Sequence, residues 1–134
     1  MIEKTLSIIK PDAVERNLEE KITEIFLNNN LKIQSRKKIK ITKEEASEFY
    51  LEHQTKPFFE KLCEYLSSGP IIVMILEGEN AISKNRKIMG ATNPVEAAPE
   101  TIRNLYGLSI DKNSVHGSDS LESAKKEIKF FFKK

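Results

Sequence analysis

The sequence contains two histidines and one cysteine, so few side chains can act as nucleophiles. His116 follows Val115 and precedes Gly117-Ser118-Asp119-Ser120. Glycine lets the backbone turn sharply beside the ring and lets a substrate come close. The serines and the aspartate can cap a following helix, whose N-terminal N–H groups favour anions. Neutral imidazole is nucleophilic near pH 7, so a histidine in this setting is placed to meet phosphate. Taken alone, the same residues read as a neutral histidine in a turn. His53 follows Phe49 and Tyr50 by about one helical turn and reads as structural. Cys63, beside Leu62 and Leu66, reads as a small apolar filler. A lone cysteine excludes an intramolecular disulfide and a thiolate metal site.

Phosphate chemistry needs positive charge where oxygen charge develops, together with in-line positioning. The five glycines are scattered, and no glycine-rich phosphate loop of the P-loop or dinucleotide type is present. Side chains must therefore hold most of any phosphate. Residues 85–103 supply Arg86, Thr92 and Arg103 among turn and cap residues. Arginine offers a planar fork suited to phosphate, and Thr92 offers one further hydrogen bond. Lys10 stands at a strand end before Pro11, where a side chain can enter a cleft. Each of these alone reads as a solvated surface charge. In Pro57-Phe58-Phe59, adjacent helical residues cannot both face the core fully. One ring can serve as a stacking platform for a base, a contact that tolerates any base.

The elements that must position these residues follow from periodicity. A strand is predicted over residues 4–10, ended by Pro11 and Asp12, which can open a helical turn. Leu18, Ile22, Ile25 and Phe26 recur at helical spacing up to Asn28-Asn29-Asn30. A second strand over residues 31–41 carries the basic cluster Arg36-Lys37-Lys38 on a solvated face. Thr42 and Glu45 fit a capping box for a helix bearing Ala46, Phe49, Tyr50 and His53. Pro57 starts another helix, which Gly69-Pro70 stops. The apolar run 71–76 predicts a central strand covered on both faces. Residues 77–112 are polar and mixed, with helix starts expected at Asn93-Pro94 and Pro99. Val115 and His116 form a very short last strand, and a final helix places Leu121, Ala124, Ile128 and Phe131 on one face. The order predicts a single α+β domain over residues 1–134. Its expected form is a ferredoxin-like βαββαβ arrangement, with helices on one face of a four-stranded antiparallel sheet.

The composition fits that size. The chain has 134 residues, 39% of them hydrophobic, enough for one core. Twenty-two basic residues against 20 acidic ones leave a net charge of +2, which does not mark a nucleic-acid binder. The apolar run near the N-terminus is too short for a signal-peptide core or a membrane span, so a cytoplasmic protein without membrane contact is expected.

The sequence resembles the nucleoside diphosphate kinase family over essentially its whole length. The resemblance rests on Thr5-Leu6-Ser7-Ile8-Ile9-Lys10-Pro11-Asp12, Pro57-Phe58-Phe59, Ser67-Ser68-Gly69-Pro70, Met89-Gly90-Ala91-Thr92-Asn93-Pro94, Thr101-Ile102-Arg103 and Asn113-Ser114-Val115-His116-Gly117-Ser118-Asp119-Ser120. The last segment matches the family's active-site signature. The resemblance implies ping-pong transfer of the γ-phosphoryl group from a nucleoside triphosphate to a nucleoside diphosphate through a phosphohistidine on His116. It implies that Glu127 orients the ring, with Ser118 as a neighbour of that pair. It matches Arg86, Thr92 and Arg103 to phosphate ligands, and Lys10 and Asn113 to groups that bind the sugar. Lys10 also reaches the transferring phosphate, Tyr50 lies close to it, and Phe58 stacks on the base. Magnesium is expected to arrive with the nucleotide, without a protein metal cage. A homo-oligomer, tetramer or hexamer, is implied, and Phe130-Phe131-Phe132 can cover either a neighbour or the core.

Two positions depart from the family pattern. Asn17 and Glu100 stand where glycine is common. Asparagine tolerates a left-handed turn. Glu100 puts a negative charge near the phosphate loop and is expected to weaken nucleotide affinity mildly. The competing readings are a ferredoxin-like module that binds RNA or protein without activity, and an oligomeric scaffold. Sheet aromatics would favour the RNA module, and the first three strands have none. The intact catalytic matches argue against the scaffold.

Overall fold

A computed structural model describes residues 2–51, 54–109 and 112–132. His53 lies outside the described residues. The elements run β1 (Ile2–Ile9), α1 (Pro11–Glu15), α2 (Glu19–Asn28), β2 (Lys32–Ile39), α3 (Lys43–Phe49), α4 (Phe59–Leu66), β3 (Ile71–Glu79), α5 (Ala81–Met89), α6 (Ile102–Tyr106), β4 (Val115–Gly117) and α7 (Leu121–Phe132). The four strands form one sheet in the order β2-β3-β1-β4, and every pairing is antiparallel. This is the ferredoxin-like α+β arrangement expected from the element order.

Local chemistry explains most boundaries. Pro11 occupies the first turn of α1, where its missing N–H costs nothing. Thr42 caps α3 in a complete capping box: its side chain accepts from the Glu45 N–H, and Glu45 accepts from the Thr42 N–H. Ser120 accepts from the Ser123 N–H at the start of α7. The α3 helix ends at Phe49, with Tyr50 as its C-cap.

The sheet is covered on both faces, where the element order alone predicts one. Side chains alternate along a strand, and the run Ile71 to Leu76 is buried throughout. On one face Ile9, Ile72, Met74, Leu76 and Val115 pack with Ile22 and Phe26 of α2 and Met89 of α5. On the other, Leu6, Ile8, Ile71 and Val73 pack with Ala46 of α3, Cys63 and Leu66 of α4 and Phe131 of α7. Each large apolar side chain removed from water contributes about 1.5–3 kcal/mol, so neither face of β1 or β3 can stay wet cheaply. Phe130 and Phe131 stack against Phe49 of the same chain, at 5.8 and 5.3 Å between centroids.

Two expected helix starts are turns. The Asn93 side chain accepts from the Val95 N–H, and the chain does not continue into a helix. Val95 is 90% exposed, so no apolar stripe rewards helix formation there. After Pro99, Glu100 adopts a left-handed φ of 72°, which ends any helix at that point. The helix starts one residue later, with Thr101 as N-cap accepting from the Asn104 N–H.

Candidate active site

The middle strand β1 and the short edge strand β4 bring distant residues together. The pairing sets Ile8 opposite His116 and Ser7 opposite Gly117. Across the sheet edge, α7 lays Glu127 beside the ring: His116 Nε2 lies 2.9 Å from Glu127 Oε1. Ser118 Oγ donates to the same carboxylate oxygen at 2.8 Å and accepts from the Leu6 N–H. The serine thus ties Glu127 to the β1 backbone. Both side chains of the His116–Glu127 pair are about one-fifth exposed, at 22% and 18%, so the pair is half-buried yet open to solvent.

Gly117 is required by packing. A Cβ there would lie 2.4 Å from Asn85 Nδ2 and 2.8 Å from Met89 Cε. The helix α5 therefore presses directly against the strand that carries His116. Phe49 meets the imidazole edge-on, 5.3 Å between centroids. Tyr50 is buried beside it, and burial raises its phenol well above the ordinary value, with Cys63 and Glu127 adding to the shift. The Tyr50 hydroxyl therefore stays a proton donor.

The cationic side chains form a second group. Lys10 is 6% exposed, and its Nζ donates to Asn113 Oδ1 at 3.0 Å. Asn113 Nδ2 donates to the Thr92 carbonyl at 3.1 Å. Arg103 donates to the carbonyls of Gly90 and Val115, at 3.0 and 2.9 Å. Its Nε is buried with no protein partner. Burial, with the Arg86 charge adding to it, lowers the Arg103 guanidinium to about 10. It remains charged at neutral pH, and an anion between the two arginines would offset their repulsion and favour the charged form. Arg86, Thr92, Arg103, Gly90 and Thr101 line one open depression of about 530 Å³.

Phe58 stands apart from this hydrogen-bonded array, at the N-cap of α4 with its ring 42% exposed. Its neighbour Phe59 packs on the core, so the two rings divide as helical geometry requires. Asp12 and Ser114 lie in segments that carry the family resemblance, but neither they nor Arg16 and Tyr65 are assigned a role by the sequence, and the four form a network next to Lys10 and Asn113. The only sequence signal was the spacing of Asp12 and Arg16, four apart at a helix start.

Comparison with known proteins settles the family. The nucleoside diphosphate kinase family model matches residues 3–134. The nucleoside diphosphate kinase of Persephonella marina is 56% identical over 131 residues, covering 98% of this chain and 94% of that protein. That of Campylobacter jejuni is 57% identical over 132 residues, covering 98% and 96%. The chain belongs to the nucleoside diphosphate kinase family. It is accordingly a phosphotransferase. The crystal structure of the Aquifex aeolicus nucleoside diphosphate kinase superimposes with a TM-score of 0.97 at 44% identity, covering 98% of this chain and 96% of that one. The enzyme of Encephalitozoon cuniculi gives 0.95 at 38% identity, covering 98% and 90%.

The two departures from the nucleoside diphosphate kinase pattern both fall at left-handed backbone. Asn17 has φ 60° and Glu100 has φ 72°. A left-handed residue with a Cβ costs about 1–2 kcal/mol, less for asparagine. Glu100→Gly is therefore expected to stabilise the protein by about 1 kcal/mol, checked by urea denaturation. The same change removes a charge from the turn between Ala98 and Thr101, both of which line the depression. Nucleotide affinity is expected to rise two- to threefold by ~0.5 kcal/mol of surface electrostatics, measured by calorimetry. Unchanged stability and affinity would contradict the strain and charge arguments.

Among the described residues no three His, Cys, Asp or Glu side chains gather as a metal cage. The donors at the depression are guanidinium, ammonium, amide and hydroxyl groups, which suit phosphate oxygens and not a cation. Among the described residues no helix is long and apolar enough to cross a membrane.

Proposed function

We propose that this chain transfers the γ-phosphoryl group of a nucleoside triphosphate to a nucleoside diphosphate by double displacement through His116. The carrying observation is the pairing of His116 Nε2 with the Glu127 carboxylate at 2.9 Å. A carboxylate accepts, so Nε2 carries the proton and Nδ1 keeps its lone pair. Nδ1 attacks the γ-phosphorus as the bond to the β,γ-bridging oxygen breaks, and the diphosphate leaves. Positive charge that develops on the ring is balanced by Glu127 through Nε2–H. A second diphosphate then enters, and its terminal oxygen takes the phosphoryl group from Nδ1.

Arg86, Arg103 and Thr92 hold the phosphates in this reading, and Lys10 and Asn113 hold the sugar hydroxyls. Lys10 and Tyr50 donate toward the transferring group. Magnesium would come bound to the nucleotide, whose phosphates Arg86, Thr92 and Arg103 would hold, and would supply neutralisation of phosphate charge. Phe58 stacks on the base through an exposed ring, a contact without a hydrogen-bond code. The pool served is therefore broad, ribose or deoxyribose, with any base. A cytoplasmic homo-oligomer, tetramer or hexamer, is part of the same reading; Val95, Leu105 and Leu108 expose apolar side chains that assembly would cover.

Double displacement makes a direct forecast. The protein should exchange label between ATP and ADP with no other nucleotide present, and two-substrate rates should give parallel reciprocal lines. Intersecting lines without exchange would favour direct transfer and sink the reading. Phe58→Ala is expected to raise KM for every nucleotide about tenfold, since one base stack is worth about 1–3 kcal/mol. Its kcat should hold nearly constant across adenine, guanine, cytosine and uracil diphosphates; a rise confined to one base would argue against a pure stacking role.

A further inference from the structure

Asp12 is 5% exposed and does not touch His116, yet three side chains converge on it. Ser114 Oγ donates to Asp12 Oδ2 at 3.0 Å, and Arg16 Nη2 donates to the same oxygen at 3.1 Å. The Tyr65 hydroxyl donates to Asp12 Oδ1. Arg16 also reaches the carbonyls of Asp12 and Tyr106. These partners come from four places: the C-cap of α1, the last turn of α4, the end of α6 and the turn before β4.

Ser114 adopts a left-handed φ of 77°, a conformation that a residue with a Cβ holds only when its surroundings enforce it. Its hydroxyl is held by Asp12, and its carbonyl accepts from the Lys10 N–H at 2.8 Å. Asn113 precedes Ser114, and Lys10 lies two residues before Asp12. The network therefore fixes both ends of the Lys10–Asn113 hydrogen bond. Tyr65 ties the same carboxylate to α4, the helix that Phe58 caps. A side chain that fixes the sugar and phosphate ligands and their distance from the base platform governs how well a nucleotide fits.

We infer that Asp12 is a positioning residue that sets nucleotide affinity, acting through Ser114 on the Lys10–Asn113 pair and through Tyr65 on the Phe58 helix. This rests on the reading of His116 as the phosphoryl carrier. It separates two properties of the site. Nucleotide capture depends on the network, whereas the orientation of the His116 ring depends on Glu127 and Ser118.

The test compares two phosphoryl donors on the wild-type chain and on Ser114→Gly, Tyr65→Phe and Asp12→Asn. Glycine accommodates a left-handed φ, so Ser114→Gly removes the hydroxyl without straining the fold. With magnesium and ATP, the half-saturating concentration for labelling His116 should rise about tenfold or more in each variant, as loss of a hydrogen bond to a charged group implies. Phosphoramidate makes no sugar or base contact and meets only the Lys10 end of the network, so its labelling rate should fall by less than about threefold. Variants that keep the wild-type ATP requirement overturn the inference. So does an equal loss with both donors, because the network would then act on His116 itself. Should Asp12→Asn fail to fold, the other two variants decide. A wild-type chain that neither donor labels would instead refute the phosphohistidine reading.

Discussion

His116→Ala is expected to lower phosphoryl transfer between nucleotides by at least about 10⁴-fold, leaving fold and nucleotide binding in place. The ring keeps Nδ1 free of the Glu127 contact, which is made through Nε2. Lys10 and Asn113 bind each other, Asn113 also the Thr92 carbonyl, and Arg103 the Gly90 and Val115 carbonyls. Affinity for a nucleoside diphosphate should therefore change by less than about threefold, while turnover disappears. A companion variant, Glu127→Gln, keeps the shape and loses the charge. It should cost about 10- to 100-fold in kcat, the worth of a hydrogen bond to a charged group. Steady-state rates with ATP and a second diphosphate measure both. A fully active His116→Ala protein would mean that the nucleotides react directly.

Arg103→Ala is expected to have the second largest effect, and it should damage two properties at once. The guanidinium braces the Gly90 and Val115 carbonyls, which belong to the loop lining the depression and to the strand of His116. Its removal leaves both acceptors without that partner, at about 1–3 kcal/mol of stability in total. In the proposed reaction it also removes a charge that would face the transferred phosphoryl group, which is expected to cost about 100- to 1,000-fold in kcat/KM. Urea denaturation read alongside initial rates separates the two. Arg103→Lys should regain part of the catalytic loss, since a charge returns, but not the stability, since a single ammonium nitrogen does not reproduce the fork by which Nη1 and Nη2 reach separate carbonyls. A lysine variant that restored stability fully would contradict the bracing role.

Much of this architecture could be read from residue pattern because local and tertiary preferences agree. Thr42 and Glu45 cap α3 as their spacing demands, and the unbroken apolar run of β3 is buried on both sides. That same run bears on the covering of the sheet: Val73 and Met74 face opposite ways, and each needs a helix layer. The loop between α5 and β4 was less legible. Proline after asparagine is compatible with a helix start and with a turn, and only burial chooses between them. Val95 and Glu96 offer no apolar face, so the turn wins. The site residues were readable as types, but their grouping was not. Ser114 lies 102 residues from Asp12, and Asn113 lies 103 from Lys10; only the β1–β4 pairing brings them together. The Asp12 network had no signal beyond one i,i+4 pair, because a buried carboxylate is indistinguishable in sequence from a surface one.

The central claim is that His116 carries the phosphoryl group between two nucleotides, and isolation of the phosphorylated chain tests it most directly. Incubation with magnesium and γ-labelled ATP, with the ADP removed as it forms, should leave one label per chain on His116. That label should be stable to base, labile to acid, and discharged in full by any added nucleoside diphosphate. A chain that transfers phosphate between nucleotides yet never holds the label, or holds it equally well after His116→Ala, would contradict the account.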